Sequence, residues 1–69
     1  MQLQKVVSGT VDAIGYDQLK NSVIVQFRDG SLYEYEVVPF AIYERLLSAP
    51  SKGSFLHKMS KSFKSKRLT

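Results

Sequence analysis

The chain predicts an α+β domain: a three-stranded antiparallel β-meander followed by two C-terminal α-helices packed on one face. Two strand-like runs, Val23-Ile24-Val25-Gln26-Phe27 and Leu32 to Val37, flank an Asp29-Gly30 pair, and that combination signs a hairpin. Pro39 then opens a stretch in which Phe40, Tyr43, Leu46 and Leu47 recur at helical spacing. Past Ala49-Pro50, a serine-flanked connector leads into a second helical pattern that ends the chain in lysines. Sixty-nine residues make one domain, 1–69. A domain this small buries only about 60% of the surface its unfolded chain exposes.

The elements follow in order. Residues 1–7 form either an irregular lead-in or an extra edge strand, because Val6-Val7-Ser8-Gly9-Thr10 is β-branched but broken by glycine. Val11 to Tyr16 reads as the first strand, with Ile14 and Tyr16 on one face, and Asp17 and Asn21 supply the turn chemistry after it. The hairpin register follows from side-chain parity. A two-residue loop at Asp29-Gly30 sets Val25 opposite Glu34 and mixes apolar with charged positions. A three-residue loop, Arg28-Asp29-Gly30 with Gly30 left-handed, sets Phe27, Val25 and Val23 opposite Ser31, Tyr33 and Tyr35. The predicted apolar face is therefore Val23, Val25, Phe27, Tyr33, Tyr35 and Val37, and the mixed face is Ser22, Ile24, Gln26, Leu32, Glu34 and Glu36.

Pro39 belongs in the first turn of the first helix, where its missing N–H costs nothing, and Ala49-Pro50 ends that helix. The second helix is expected from about Phe55 to about Lys64, with Phe55, Leu56, Met59 and Phe63 on one arc and His57, Lys58, Lys61 and Lys64 opposite. Residues 65–69 have no packing pattern and are expected to form a frayed basic tail.

Net charge hides a division of the chain. Residues 1–51 carry four basic side chains against six acidic ones, whereas residues 52–69 carry six basic and none acidic. Clustered positive charge of this kind attracts polyanions. The absence of cysteine rules out a disulfide framework and a cysteine-based zinc site. Met1 to Val7 lacks the apolar core of a signal peptide and no apolar run is long enough to cross a bilayer, so a cytoplasmic protein with no membrane partner is the expectation.

Several residues in order resemble the KTSC domain: Ser8, Ala13-Ile14-Gly15-Tyr16-Asp17, Val25-Gln26-Phe27 with Gly30, the central Tyr33-Glu34-Tyr35, Val38-Pro39, Tyr43, Leu46, Ala49, and Ser51-Lys52-Gly53 with Phe55. They span about residues 8 to 64. This short module is named for the C-terminal end of some lysyl-tRNA synthetases and is also found in stand-alone bacterial and phage proteins. The resemblance implies little chemistry of its own. Through the attachment to a tRNA-handling enzyme it implies nucleic-acid binding.

The favoured expectation is a non-catalytic module that binds RNA or DNA nonspecifically through Lys52, Lys58, Lys61, Lys64, Lys66 and Arg67, since each phosphate neutralised releases condensed counterions. Tyr33 and Tyr35 are weighed as stacking platforms for bases and assigned to the core, because their strand face is the one the helices must cover. Ser51-Lys52-Gly53-Ser54 is weighed as a phosphate loop and assigned to a capping turn whose glycine serves its backbone angles. A competing expectation is a phage or bacterial protein-interaction module docking on an acidic host protein through an outer-face patch of Ile24 and Leu32 or through an open strand edge. A third is a homo-oligomer that holds a phosphorylated small molecule. No enzyme, cofactor or metal site is expected: His57 has no ligand partners near it, and Glu34 and Glu36 read as a solvated strand face.

Overall fold

The computed structural model describes residues 3–69. Its element order is β1 (Gln4–Lys5), β2 (Val11–Asp17), β3 (Ser22–Phe27), β4 (Leu32–Tyr35), α1 (Phe40–Ser48), α2 (Lys52–Ser62) and β5 (Ser65–Arg67). The class is α+β, but the sheet has five strands rather than three, in the order β1-β2-β3-β4-β5 with every neighbouring pair antiparallel. The central meander is therefore extended by one short strand at each edge.

The first addition decides between the two expectations for the start of the chain, and the second corrects the expectation for its end. Of the two readings of residues 1–7, the edge strand holds for Gln4 and Lys5, which pair with Ile14 and Ala13; residues 1 and 2 lie outside the described residues. The supposed frayed tail is β5. Tyr33, Glu34 and Tyr35 of β4 face Arg67, Lys66 and Ser65. Backbone bonds from Glu36 N–H to the Lys64 carbonyl and from Leu68 N–H to the Leu32 carbonyl, each 2.7 Å, extend that ladder at both ends.

The hairpin has the register that parity required, with Val23 opposite Tyr35 and Val25 opposite Tyr33. Gly30 adopts φ +91°, and the Phe27 and Ser31 backbones close the three-residue loop at 2.9 Å. At the preceding turn Asp17 Oδ1 accepts from Leu19 N–H at 3.0 Å, and Asn21 takes the left-handed conformation that asparagine tolerates. A bulge between Val11 and Ala13 in β2 turns both Val11 and Ile14 inward.

The core lies between one sheet face and both helices. Val11, Ile14, Val23, Val25 and Tyr35 meet Val38, Tyr43 and Leu46 from the α1 region and Leu56 and Met59 from α2. Val37 is the exception to the predicted apolar face: it is 75% exposed, while Val38 is fully buried. The strand ends at Tyr35, and a left-handed Val37 (φ +54°) rotates Val38 inward in its place. The mixed face also departs from expectation, because Ser22, Ile24 and Glu34 are buried.

The helices shift slightly against the pattern. Pro39 occupies the cap position before Phe40 rather than the first turn, and α2 begins at Lys52 and stops at Ser62, short of Lys64. Among the described residues no helix is long and apolar enough to cross a membrane.

Candidate nucleic-acid interface

The start of α2 is built from the connector serines. Ser51 Oγ accepts from Ser54 N–H at 3.3 Å, satisfying one of the donors that a helix start leaves free, so the loop is a capping turn. Gly53 is there for closeness rather than for backbone angles: a Cβ on it would stand 3.2 Å from Thr10 Oγ1. Lys52 donates to the Ala49 carbonyl at 2.9 Å, where α1 has just ended and its unpaired carbonyls favour a cation. Of the six predicted contact residues, Lys52 is thus occupied in joining the helices.

Lys66 is occupied as well, on the opposite side of the sheet. Its Nζ stands 3.5 Å from Glu34 Oε1, while Ser22 Oγ donates to Glu34 Oε2 at 2.8 Å. The Glu34 side chain is 7% exposed and that of Lys66 is 58% exposed. A carboxylate so enclosed needs both partners, since an unpaired buried charge costs several kcal/mol. Glu34 is therefore a structural acid, not half of a solvated pair.

The remaining four cations are exposed, and among the described residues Lys66–Glu34 is the one ion pair. Lys58 and Lys61 project from α2 roughly 60° apart around its axis. Lys64 lies past the end of that helix, and the β4–β5 ladder brings it level with Glu36. Arg67 sits opposite Tyr33, and its Nε donates to the Thr69 carbonyl. The expected basic helix face is instead divided between α2, which carries Lys58 and Lys61, and the β5 edge, where Lys64 and Arg67 lie.

That edge borders a cleft of about 550 Å³ lined by Gly9, Thr10, Phe27, Asp29, Ser31, Tyr33, Tyr35, Ser60 and Ser65. Phe27 and Tyr33 meet edge to face with ring centroids 5.4 Å apart. Tyr35 is 5% exposed and belongs to the core, whereas Tyr33 is only half-buried and both line the cleft. Burial, and secondarily its neighbour Tyr33, pushes the Tyr35 hydroxyl above the usual phenol range. Asp29 Oδ1 accepts from Ser31 Oγ at 2.6 Å and from Ser31 N–H at 2.9 Å. Those two bonds, with a smaller pull from Arg67, hold the Asp29 carboxyl below the ordinary carboxylate range.

Sequence reasoning assigned Asp29 to the turn alone and did not gather Thr10, Ser31, Ser60 and Ser65 around the tyrosines. The Asp-Gly-Ser order does encode the local bonds; the assembly of two loops with α2 and the start of β5 has no local signal. His57 is exposed on α2, and among the described residues no group of three or more His, Cys, Asp or Glu gathers as metal ligands would. Of the two residues of the expected outer-face patch, Ile24 is buried and Leu32 half-buried.

A family model described as the KTSC domain matches residues 7–62. The chain is similar to a lysine–tRNA ligase of a Nostoc species, at 37% identity over 68 residues, covering 97% of this chain and 12% of that protein. It is 40% identical to a lysine–tRNA ligase of Trichormus variabilis over 55 residues, covering 78% of this chain and 10% of the ligase. It thus spans about a tenth of the length of these relatives. A protein of Tsukamurella paurometabola is 34% identical over 55 residues, with 80% of this chain and 82% of that one covered. Among solved structures, a KTSC domain protein from Yersinia pestis superposes with a TM-score of 0.89 at 33% identity, covering 99% of this chain and 97% of that one.

Proposed function

This chain belongs to the KTSC domain family, and from that premise we propose that it is a non-catalytic module that binds RNA, tolerant of sequence, along the ribbon of Lys58, Lys61, Lys64 and Arg67. The observation that carries this reading is the separation of the cations into two sets. Lys52 and Lys66 are held by internal partners, while Lys58, Lys61 and Lys64 stand exposed with no ion pair among the described residues, and Arg67, exposed as well, donates its Nε–H to the Thr69 carbonyl. Unpaired cations release counterions when they meet phosphate, and that release drives sequence-tolerant binding. The similarity to lysine–tRNA ligases, enzymes that act on an RNA, favours RNA over DNA as the polyanion.

Salt dependence tests the ribbon directly. Four phosphates engaged on a single strand give a slope of about −3 in log affinity against log salt. The triple variant Lys58→Glu, Lys61→Glu, Lys64→Glu is expected to fold as the parent by circular dichroism and to lose binding to labelled single-stranded RNA. Undiminished affinity in that folded variant would overturn the ribbon as the binding surface.

A further inference from the structure

The cleft beside the ribbon has a chemistry the ribbon does not explain. Its aromatic part is Phe27, Tyr33 and Tyr35, and its polar part is Asp29 with the hydroxyl residues Thr10, Ser31, Ser60 and Ser65. At about 550 Å³ it falls in the size range of small-molecule sites, which pair an apolar lining with a few placed polar groups. An acid at the lip excludes phosphate from the interior, so the phosphates stay with the lysines and a base is what enters. A half-buried tyrosine offers such a base a stacking face.

We propose that this cleft takes a single unstacked nucleobase and prefers guanine, with the ring on Tyr33 and its Watson–Crick edge toward Asp29. The inference rests on the nucleic-acid reading of the ribbon and adds a site to it. Asp29 Oδ1 is already taken by the two Ser31 donors, and those bonds fix the plane of the carboxylate. The other oxygen, Oδ2, takes part in neither bond. An ionised carboxylate accepts and never donates. Guanine alone among the common bases presents two adjacent donors, N1–H and the N2 amino group, with no acceptor between them. Adenine and cytosine set a ring-nitrogen acceptor beside their amino donor, and uracil flanks its single N–H with two carbonyls, so each turns a lone pair toward the acid. The lowered pKa of Asp29 keeps it anionic across the neutral range.

The test is fluorescence anisotropy at low salt with four short uridine oligonucleotides, one unsubstituted and three carrying a single central guanosine, adenosine or cytidine. Guanosine is expected to bind about tenfold tighter than the others, at the low end of what a base-edge contact gives, because its two donors share the one free oxygen, Oδ2. Asp29→Asn keeps an oxygen for Ser31 and is expected to erase the preference while leaving affinity for the all-uridine strand unchanged. Tyr33→Leu is expected to weaken the guanosine strand toward the all-uridine value. Equal affinity for all four strands overturns the guanine site and leaves the ribbon standing. Loss of all binding at low salt overturns the ribbon. In that event chemical-shift titration with guanosine and adenosine monophosphates decides the cleft alone: shifts at Asp29, Ser31 and Tyr33 with the guanosine nucleotide only would uphold it, and their absence would remove it.

Discussion

Val37 holds φ at +54° with a β-branched side chain, a conformation that glycine and asparagine adopt far more readily. The kink has a purpose at its neighbour. Val38 is fully buried, its N–H donates to the Asn21 carbonyl at 2.7 Å, and its own carbonyl accepts from the Tyr16 hydroxyl at 2.7 Å. Strain at one residue thus docks the β4–α1 junction onto the β2–β3 turn. Because the Val37 side chain is three-quarters exposed, little burial is lost by replacing it. Val37→Asn is expected to raise stability by about 1 kcal/mol, read as a higher urea midpoint with unchanged slope. Parity along the strand placed Val37 inside, since period-two reasoning holds only while the backbone stays extended. One left-handed residue inverts it, and nothing in the string Glu36-Val37-Val38-Pro39 announces which valine will turn.

At the scale of elements, pattern reasoning missed β5 and left β1 open between an irregular lead-in and an edge strand. Both β1 and β5 are exposed along their whole length, so no alternation of apolar and polar residues marks them. They are held by main-chain bonds, which every sequence can make. Lysine and arginine on β5 also guard an open sheet edge against pairing with another chain. Removal of residues 65–69 strips that ladder and withdraws Lys66 from the enclosed Glu34 carboxylate. The truncated chain is expected to lose about 2 kcal/mol in urea unfolding, a few net hydrogen bonds' worth, where a frayed tail would cost nothing. The helices, by contrast, were legible. Their apolar spacing, Pro39, Ala49-Pro50 and the Ser51 cap are local chemistry, and the structure moved their ends by only a few residues.

For the molecule as a whole, one core sandwiched between five strands and two helices carries the stability. Two of its tyrosines link that stability to pH. Burial pushes Tyr35 and Tyr43 above the usual phenol range. The folded chain therefore keeps these protons after the unfolded chain has released its own. Stability is full below the ordinary tyrosine pKa of about 10 and falls as pH rises from there toward and through the folded values. Urea midpoints are expected to be flat through the neutral range and to decline beyond about pH 10. Tyr35→Phe, which has no proton to lose, is expected to flatten the decline.

By itself the sequence determined the hairpin register, the two helices and the face they cover, because each is written in spacing and turn residues only a few positions apart, and it determined the family through residues in order from about 8 to 64. Only the tertiary structure decided that the chain ends become edge strands, that Glu34 is buried against Ser22 and Lys66, that the six cations divide into occupied and exposed sets, and that Asp29 shares a cleft with Tyr33. The first two depend on pairings between segments distant along the chain, where a main-chain ladder or one ion pair supplies the energy and leaves no periodic trace in the residues that make it. The last two depend on side-chain contacts and a cleft lining that no periodicity announces, such as Lys52 on the Ala49 carbonyl.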